Sequence, residues 1–242
     1  RFRSQGYVDL GTPYDEAALS RVNDRYNELL ESGEHTRVVH TNDPMNGETY
    51  ILGIDDVGKH LPEVSALLTD DIIKTLQAYY NAHIQIRTIR AYRTYHVPDD
   101  VMRETEVYNN NWHFDGKSTD HTKLFVCLDD TSEDDGPLHI MPKDDTREIV
   151  TRRPGFDRDV DGLPNGFVDE TGSAVTLTGP AGTAMLGTTQ SCLHRAGVPS
   201  EGHQRDLVQF YIAPSSKPLP DDWIDRELGG TRQHVVERLL EY

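Results

Sequence analysis

The sequence predicts a mainly β fold with flanking α-helices, of the jelly-roll or barrel kind. Three observations predict it. Apolar residues recur at helical spacing only in the first third of the chain. From residue 83 onward, β-branched and aromatic residues take over in about eight short runs. Clusters of Pro, Gly and Asp separate those runs at regular intervals, as in all-β sandwiches and barrels. A barrel of 242 residues forms one domain, and no repeat, low-complexity tract or linker divides residues 1–242.

Residues 2–10 are a short, partly apolar lead-in. Thr12 and Pro13 are read as N-cap and first turn of a helix, with Asp15 and Glu16 at the positive end of its dipole. Ala18, Leu19, Val22, Tyr26, Leu29 and Leu30 give it one apolar face, and Gly33 stops it. Residues 38–54, broken by Pro44 and Gly47, read as short strands with a hairpin. Residues 62–68 and 70–80 form a second helical region, with Leu67, Leu68, Ile72, Ile73, Leu76 and Tyr80 on its apolar side. The helical part therefore spans about 12–80, and its apolar faces are read as packing against a sheet.

The β core spans about 83–214 and opens with a long strand ending at Tyr95. Pro98, Asp99 and Asp100 begin an acidic loop. Further strands are expected at 122–128, 138–141, 147–150, 174–177, 183–186, 191–194 and 206–213. Residues 152–172, rich in Pro, Gly and Asp, read as a long loop of the kind that covers a site. Past a linker at 214–220, Val235, Val236, Leu239 and Leu240 form the stripe of a helical tail over about 220–242.

The net charge of −17 argues against nucleic-acid partners and anionic membrane surfaces. Lysines number six, at 59, 74, 117, 123, 143 and 217, and acidic pairs are spread evenly along the chain. Such a surface suits either a high-salt habitat or an ordinary acidic protein. No stretch approaches the ~18 apolar residues of a membrane span. Two cysteines, Cys127 and Cys192, do not make a disulfide scaffold, so a reducing cytoplasm is the expected compartment. Cys127, in an apolar run, reads as core.

Chemistry centres on His113-Phe114-Asp115. In an extended segment, residues i and i+2 face the same side, so one imidazole and one carboxylate converge. They are two members of the two-His, one-carboxylate triad that holds non-haem Fe(II) with positions open for other ligands. His194, on a later strand, is the candidate third ligand. Arg205 lies eleven residues beyond it, across the turn-like loop 197–203, and a hairpin returns it beside His194. A buried Arg near a metal needs an anionic partner, and its planar fork suits a carboxylate. A dicarboxylate such as 2-oxoglutarate would meet both the metal and Arg205.

At these residues the chain resembles the phytanoyl-CoA dioxygenase family of Fe(II)/2-oxoglutarate oxygenases. Trp112-His113-Phe114-Asp115 is similar to its Trp-His-x-Asp motif. Residues 124–130 and 135–142 resemble its strand, acidic turn and Asn-Gly-x-Leu-x-x-x-Pro element. Residues 182–194, Arg205 and Gln209-Phe210-Tyr211-Ile212 resemble its C-terminal part, so the likeness covers about 83–214. The resemblance implies a double-stranded β-helix, cupin-like in fold. It implies His113, Asp115 and His194 on Fe(II), Arg205 on 2-oxoglutarate, and Tyr95 and Phe125 lining the co-substrate pocket. It implies O2 as oxidant, succinate and CO2 as products, and a small-molecule substrate.

Asp115 favours hydroxylation or a related oxidation, since halogenating members of the family carry a small residue there. Two departures stand out. Lys143-Asp144-Asp145 replaces the usual Gly-Ser-His, and Ala196 replaces a Ser that helps hold the co-substrate, so another group is expected beside the far carboxylate. The alternative from another class is a cupin-like metal- or ligand-binding barrel without oxygenase activity. Asp157, Asp159 and Asp161 resemble the start of a Ca2+ loop, but Val168 stands where Glu is needed, so a solvated acidic loop is expected. Cys192 is expected to pack, and His121, His139 and His203 to be surface or loop residues.

Overall fold

The computed structural model describes residues 2–39, 49–104, 107, 109–115, 121–152, 168 and 173–225. The turn around Pro44 and Gly47, nearly all of the 152–172 loop with its Asp157 segment, and the C-terminal stripe lie outside them.

Ten strands among the described residues build two sheets: β1 (Tyr7–Gly11), β2 (Thr36–Val38), β3 (Ile51–Ile54), β4 (His83–Tyr95), β5 (Thr122–Cys127), β6 (Leu138–Ile140), β7 (Val175–Thr176), β8 (Ala184–Gly187), β9 (His194–Ala196) and β10 (Gln204–Ser215). The major sheet runs β1-β8-β5-β10-β4-β3-β2 and the minor sheet β7-β6-β9, all pairs antiparallel. Phe125, Cys127, Met185 and Leu207 of the major sheet meet Leu138 and Ile140 of the minor sheet in one buried cluster. Two sheets closing on a shared core make the double-stranded β-helix of a jelly-roll.

The outer face of the major sheet carries the helices. In α2 (Glu16–Ser32) Val22, Tyr26 and Leu29 are buried, and in α4 (Asp70–Tyr80) Ile72 and Leu76. They join Ile84, Leu124, Val126, Phe210 and Ile212 in the largest apolar cluster. Asp15, not Thr12, caps α2. It lies in extended backbone and its carboxylate accepts from the Ala18 N–H, while residues 12–14 stay outside the helix. Gly33 ends α2 in the left-handed conformation (φ 69°), as expected. A hydrogen bond to an ion pair within the sheet ties α2 down: Arg93 of β4 grips Asp206 of β10 through Nε (2.8 Å) and Nη2 (2.7 Å), and the Tyr26 hydroxyl donates to Asp206 (2.9 Å).

Several elements differ from expectation. The lead-in holds α1 (Phe2–Gln5) and β1, which pairs with β8. The short α3 (Val57–His60) precedes a 3-10 segment, Pro62–Leu67. The acidic loop after Pro98 begins as α5 (Asp99–Glu104), since two carboxylates at a helix start favour the dipole. Residues 147–150 are not a strand but part of α6 (Lys143–Arg152), whose buried Thr146 and Ile149 stand at helical spacing behind Asp144 and Asp145.

One irregularity sets what faces the barrel interior. Tyr211 pairs with Thr88 and Ile212 with Ile86, so Arg87 is an extra residue in β4. The residues of β4 that pack on the helices accordingly switch from Ile84 and Ile86 to Ile89 and Ala91. Beyond the bulge, Arg90, Tyr92 and Thr94 face inward with Arg205, Leu207, Gln209 and Tyr211 of β10.

Candidate metal centre

His113 and His194 exchange backbone hydrogen bonds, each N–H donating to the other's carbonyl at 3.0 Å. A hydrogen-bonded pair of this kind puts both side chains on one side, and the ring centroids are 4.2 Å apart. The Asp115 N–H donates to the Thr189 carbonyl (3.1 Å), fixing the second arm of the segment. One ligand atom from each of His113, Asp115 and His194 lies within 4.8 Å of the others.

The ring nitrogens are sorted by their partners. Nδ1 of His113 lies 2.8 Å from the Asn111 carbonyl and Nδ1 of His194 lies 3.3 Å from that of Cys192. A carbonyl only accepts, so each Nδ1 is assigned the proton and each Nε2 is left to bind a metal. Burial, reinforced by the neighbouring His194, lowers the His113 pKa to about 3 and keeps the ring neutral.

Asp115 divides its two oxygens. Oδ1 lies 3.6 Å from His194 Nε2, on the triad side. Oδ2 accepts from the Thr189 hydroxyl and from Lys123 Nζ (2.6 Å), with His121 Nε2 3.6 Å away. Burial alone would raise this carboxyl; Lys123, then His121 and His194, outweigh it and hold it far below the usual carboxylate range. Burial likewise lowers the Lys123 ammonium, but Tyr211 and Asp115 more than offset it, and the group stays charged. Two imidazoles and one fixed carboxylate fit a divalent first-row metal such as Fe(II).

Arg205 sits deeper along β10 and is 4 % exposed. Its Nη1 donates to the Gly136 carbonyl, and Nη2 is 3.5 Å from the Thr94 hydroxyl. Its buried Nε has no hydrogen-bond partner among the described residues. An orphaned buried guanidinium donor on the interior face matches a carboxylate ligand.

The structure thus brings together His113, Asp115 and His194, and places Arg205 and the buried Phe125 on the interior face. Tyr95 is corrected. It pairs with Gln204 on the face that carries Arg93 and Asp206, because the Arg87 bulge reverses the alternation; Tyr92 and Thr94 take the inward positions. Cys192 packs as expected, its Sγ against the Gln5 carbonyl and Thr188. His203 is exposed and pairs with Asp135 (2.9 Å). His139 stands edge-on to Trp112. His121 lies in the loop just before β5, half-buried, where it faces Asp115 and bonds Gln190 (2.7 Å). Lys123, Thr189 and Tyr211 are functional candidates that sequence reasoning missed. Lys123 was discoverable, since it stands two residues before Phe125 on the same strand face.

Neither a protein-family model nor a curated protein matches this sequence. Solved structures do. The epimerase SnoN, in complex with Fe3+, alpha ketoglutarate and nogalamycin RO, is 15% identical with a TM-score of 0.64, covering 96% of this chain and 89% of its own. EctD from S. alaskensis, with 2-oxoglutarate and 5-hydroxyectoine, is 15% identical with a TM-score of 0.63, covering 95% and 82%. The carbocyclase SnoK from nogalamycin biosynthesis is 14% identical with a TM-score of 0.60, covering 87% and 80%. At such identities the likeness is one of fold: this chain has the cupin-like fold of Fe/2-oxoglutarate-dependent enzymes.

Proposed function

We propose that this chain is an Fe(II)- and 2-oxoglutarate-dependent oxygenase that oxidises a C–H bond of a small molecule. One observation carries the reading: the His113, Asp115 and His194 ligand atoms converge on one point, and the inward-facing, buried Arg205 keeps an unpartnered Nε. With Fe(II) bound, the chemistry supplied is decarboxylation of 2-oxoglutarate by O2, giving succinate, CO2 and an oxidising equivalent for the substrate.

The residues of the chain have separate tasks in this reading. Nε2 of both histidines and Oδ1 of Asp115 hold the metal. Thr189 and Lys123 grip the other Asp115 oxygen, so the carboxylate cannot swing. Arg205 meets the far carboxylate of 2-oxoglutarate, and the Thr94 hydroxyl takes the part that Ala196 cannot. Phe125 and Leu207, both buried, keep water from the space between. Asp115 fills the position a halide would need, which favours hydroxylation or a related oxidation over halogenation.

The whole chain acts as one catalytic domain in this reading, located in the cytoplasm. Among the described residues no helix is long and apolar enough to cross a membrane. Succinate production from 2-oxoglutarate tests the function. We expect turnover only with Fe(II), and none in His113→Ala. Metal binding without succinate, across a panel of candidate metabolites, would favour the non-oxidative cupin-like barrel, in which Arg205 has no task.

A further inference from the structure

We propose that Arg90, Tyr211 and Lys123 form an anion-recognising subsite beside the metal centre, so that the substrate carries a carboxylate; this rests on the oxygenase reading. The bulge at Arg87 turns Arg90 to the inward face of β4. β3 covers β4 only at Tyr92, Arg93 and Thr94, so Arg90 stands past the end of its neighbour and is exposed. Its guanidinium lies 5.1 Å from the centre of the Tyr211 ring. Lys123 Nζ lies 4.5 Å from the same centre, is buried, and touches Asp115. A cation, an aromatic ring, a second cation and a metal-ligating carboxylate thus follow one another from solvent to the triad.

Charge decides what such a run is for. The chain carries −17 and only six lysines, yet one of them is buried at the centre of the barrel. A buried ammonium is costly without an anionic partner. Among the described residues, Asp115 is the one carboxylate paired with Lys123, and Arg90 makes no ion pair. A divalent metal and dianionic 2-oxoglutarate cancel in charge, which leaves Arg205, Lys123 and Arg90 against the single carboxylate of Asp115. Asp115 then answers Lys123, while Arg90 retains unmatched positive charge at the rim. An anionic group on the substrate, lying over Tyr211 between the two cations, offsets part of that remaining positive charge. The fork of Arg90 favours a carboxylate there. The acidic surface repels anions in general, so this local positive rim also sets where one can enter.

The test uses protein loaded with Mn(II) and saturating 2-oxoglutarate, and follows 19F line broadening of 4-fluorobenzoate and its neutral counterpart 4-fluorobenzamide. We expect the benzoate to bind about tenfold or more tightly than the amide. Arg90→Gln should remove that preference, Arg90→Lys should keep most of it, and Lys123→Met should weaken it. Arg90 is exposed, so its variants remain informative if Lys123→Met does not fold. Equal broadening by the two probes, an unchanged preference in Arg90→Gln, or loss of the benzoate signal as 2-oxoglutarate rises would overturn the subsite. Failure of Mn(II) or 2-oxoglutarate to bind sinks the oxygenase reading and the subsite with it; binding of both without a benzoate preference sinks the subsite alone.

Discussion

Gly136 and Gly197 are pressed backbone to backbone behind Arg205, and Gly136→Ala measures that contact. A Cβ at Gly136 would stand 2.5 Å from the Pro199 nitrogen and 2.6 Å from the Val198 carbonyl carbon. Both are main-chain atoms and cannot rotate away. Gly136 is also left-handed, with φ 65°. Gly33 provides the control: its φ is 69°, but an added Cβ meets nothing within 4 Å. Gly33→Ala therefore reports the left-handed penalty alone, about 1–2 kcal/mol. Gly136→Ala adds an overpacking cost of about 1–3 kcal/mol, for a total of roughly 2–5 kcal/mol. Urea unfolding of both variants at matched m-values separates the two contributions. The Gly136 carbonyl accepts from Arg205, so 2-oxoglutarate affinity should fall in Gly136→Ala and not in Gly33→Ala. Equal destabilisation by the two substitutions would refute the close packing.

Three further outcomes are expected. Thr189→Val removes a hydroxyl from Asp115 Oδ2 and should weaken Mn(II) binding, followed by electron paramagnetic resonance, by about 10–100-fold; unchanged affinity would rule out that hydroxyl as an anchor. Arg93→Met strands the buried carboxylate of Asp206 and should cost about 3–5 kcal/mol in urea unfolding, whereas Tyr26→Phe removes one donor and should cost about 1–3 kcal/mol. His113, lowered from 6.5 to about 3, binds fewer protons folded than unfolded across that window. Metal-free protein should therefore lose stability as pH falls from 6.5 toward 3. The loss should be shallower in His113→Ala, and parallel curves would contradict the burial of that ring.

The parts of the site legible in sequence are those fixed by local geometry. The i, i+2 rule brings His113 and Asp115 together, whereas the loop after His194 crosses from the minor sheet to the major one, so the hairpin expected between His194 and Arg205 does not form. The helices were legible because apolar spacing and a glycine stop survive packing. What sequence reasoning lost depends on neighbours distant in the chain. Thr189 and His121 meet Asp115 only through folding. Tyr95 was placed in the pocket by the family resemblance alone, and one extra residue in β4 turns it to the other face. Its trace in the sequence is the spacing of Ile84 and Ile86 against Ile89 and Ala91. Residues 147–150 misled for a different reason: four residues are too few to separate two periods, and the buried Thr146 that marks the helix lay just outside them.

β10 lies at the middle of the major sheet, between β4 and β5, yet it is the last of the ten described strands to be synthesised. Until it arrives, the sheet can exist only as two three-stranded fragments, β1-β8-β5 and β4-β3-β2, each with a long raw edge facing the other. A ribosome that stalls before residue 204 would therefore leave a sticky intermediate with two raw edges, a natural client for a chaperone. The same geometry makes residues 204–215 a candidate for supply in trans, as a peptide that zips the two fragments into one sheet.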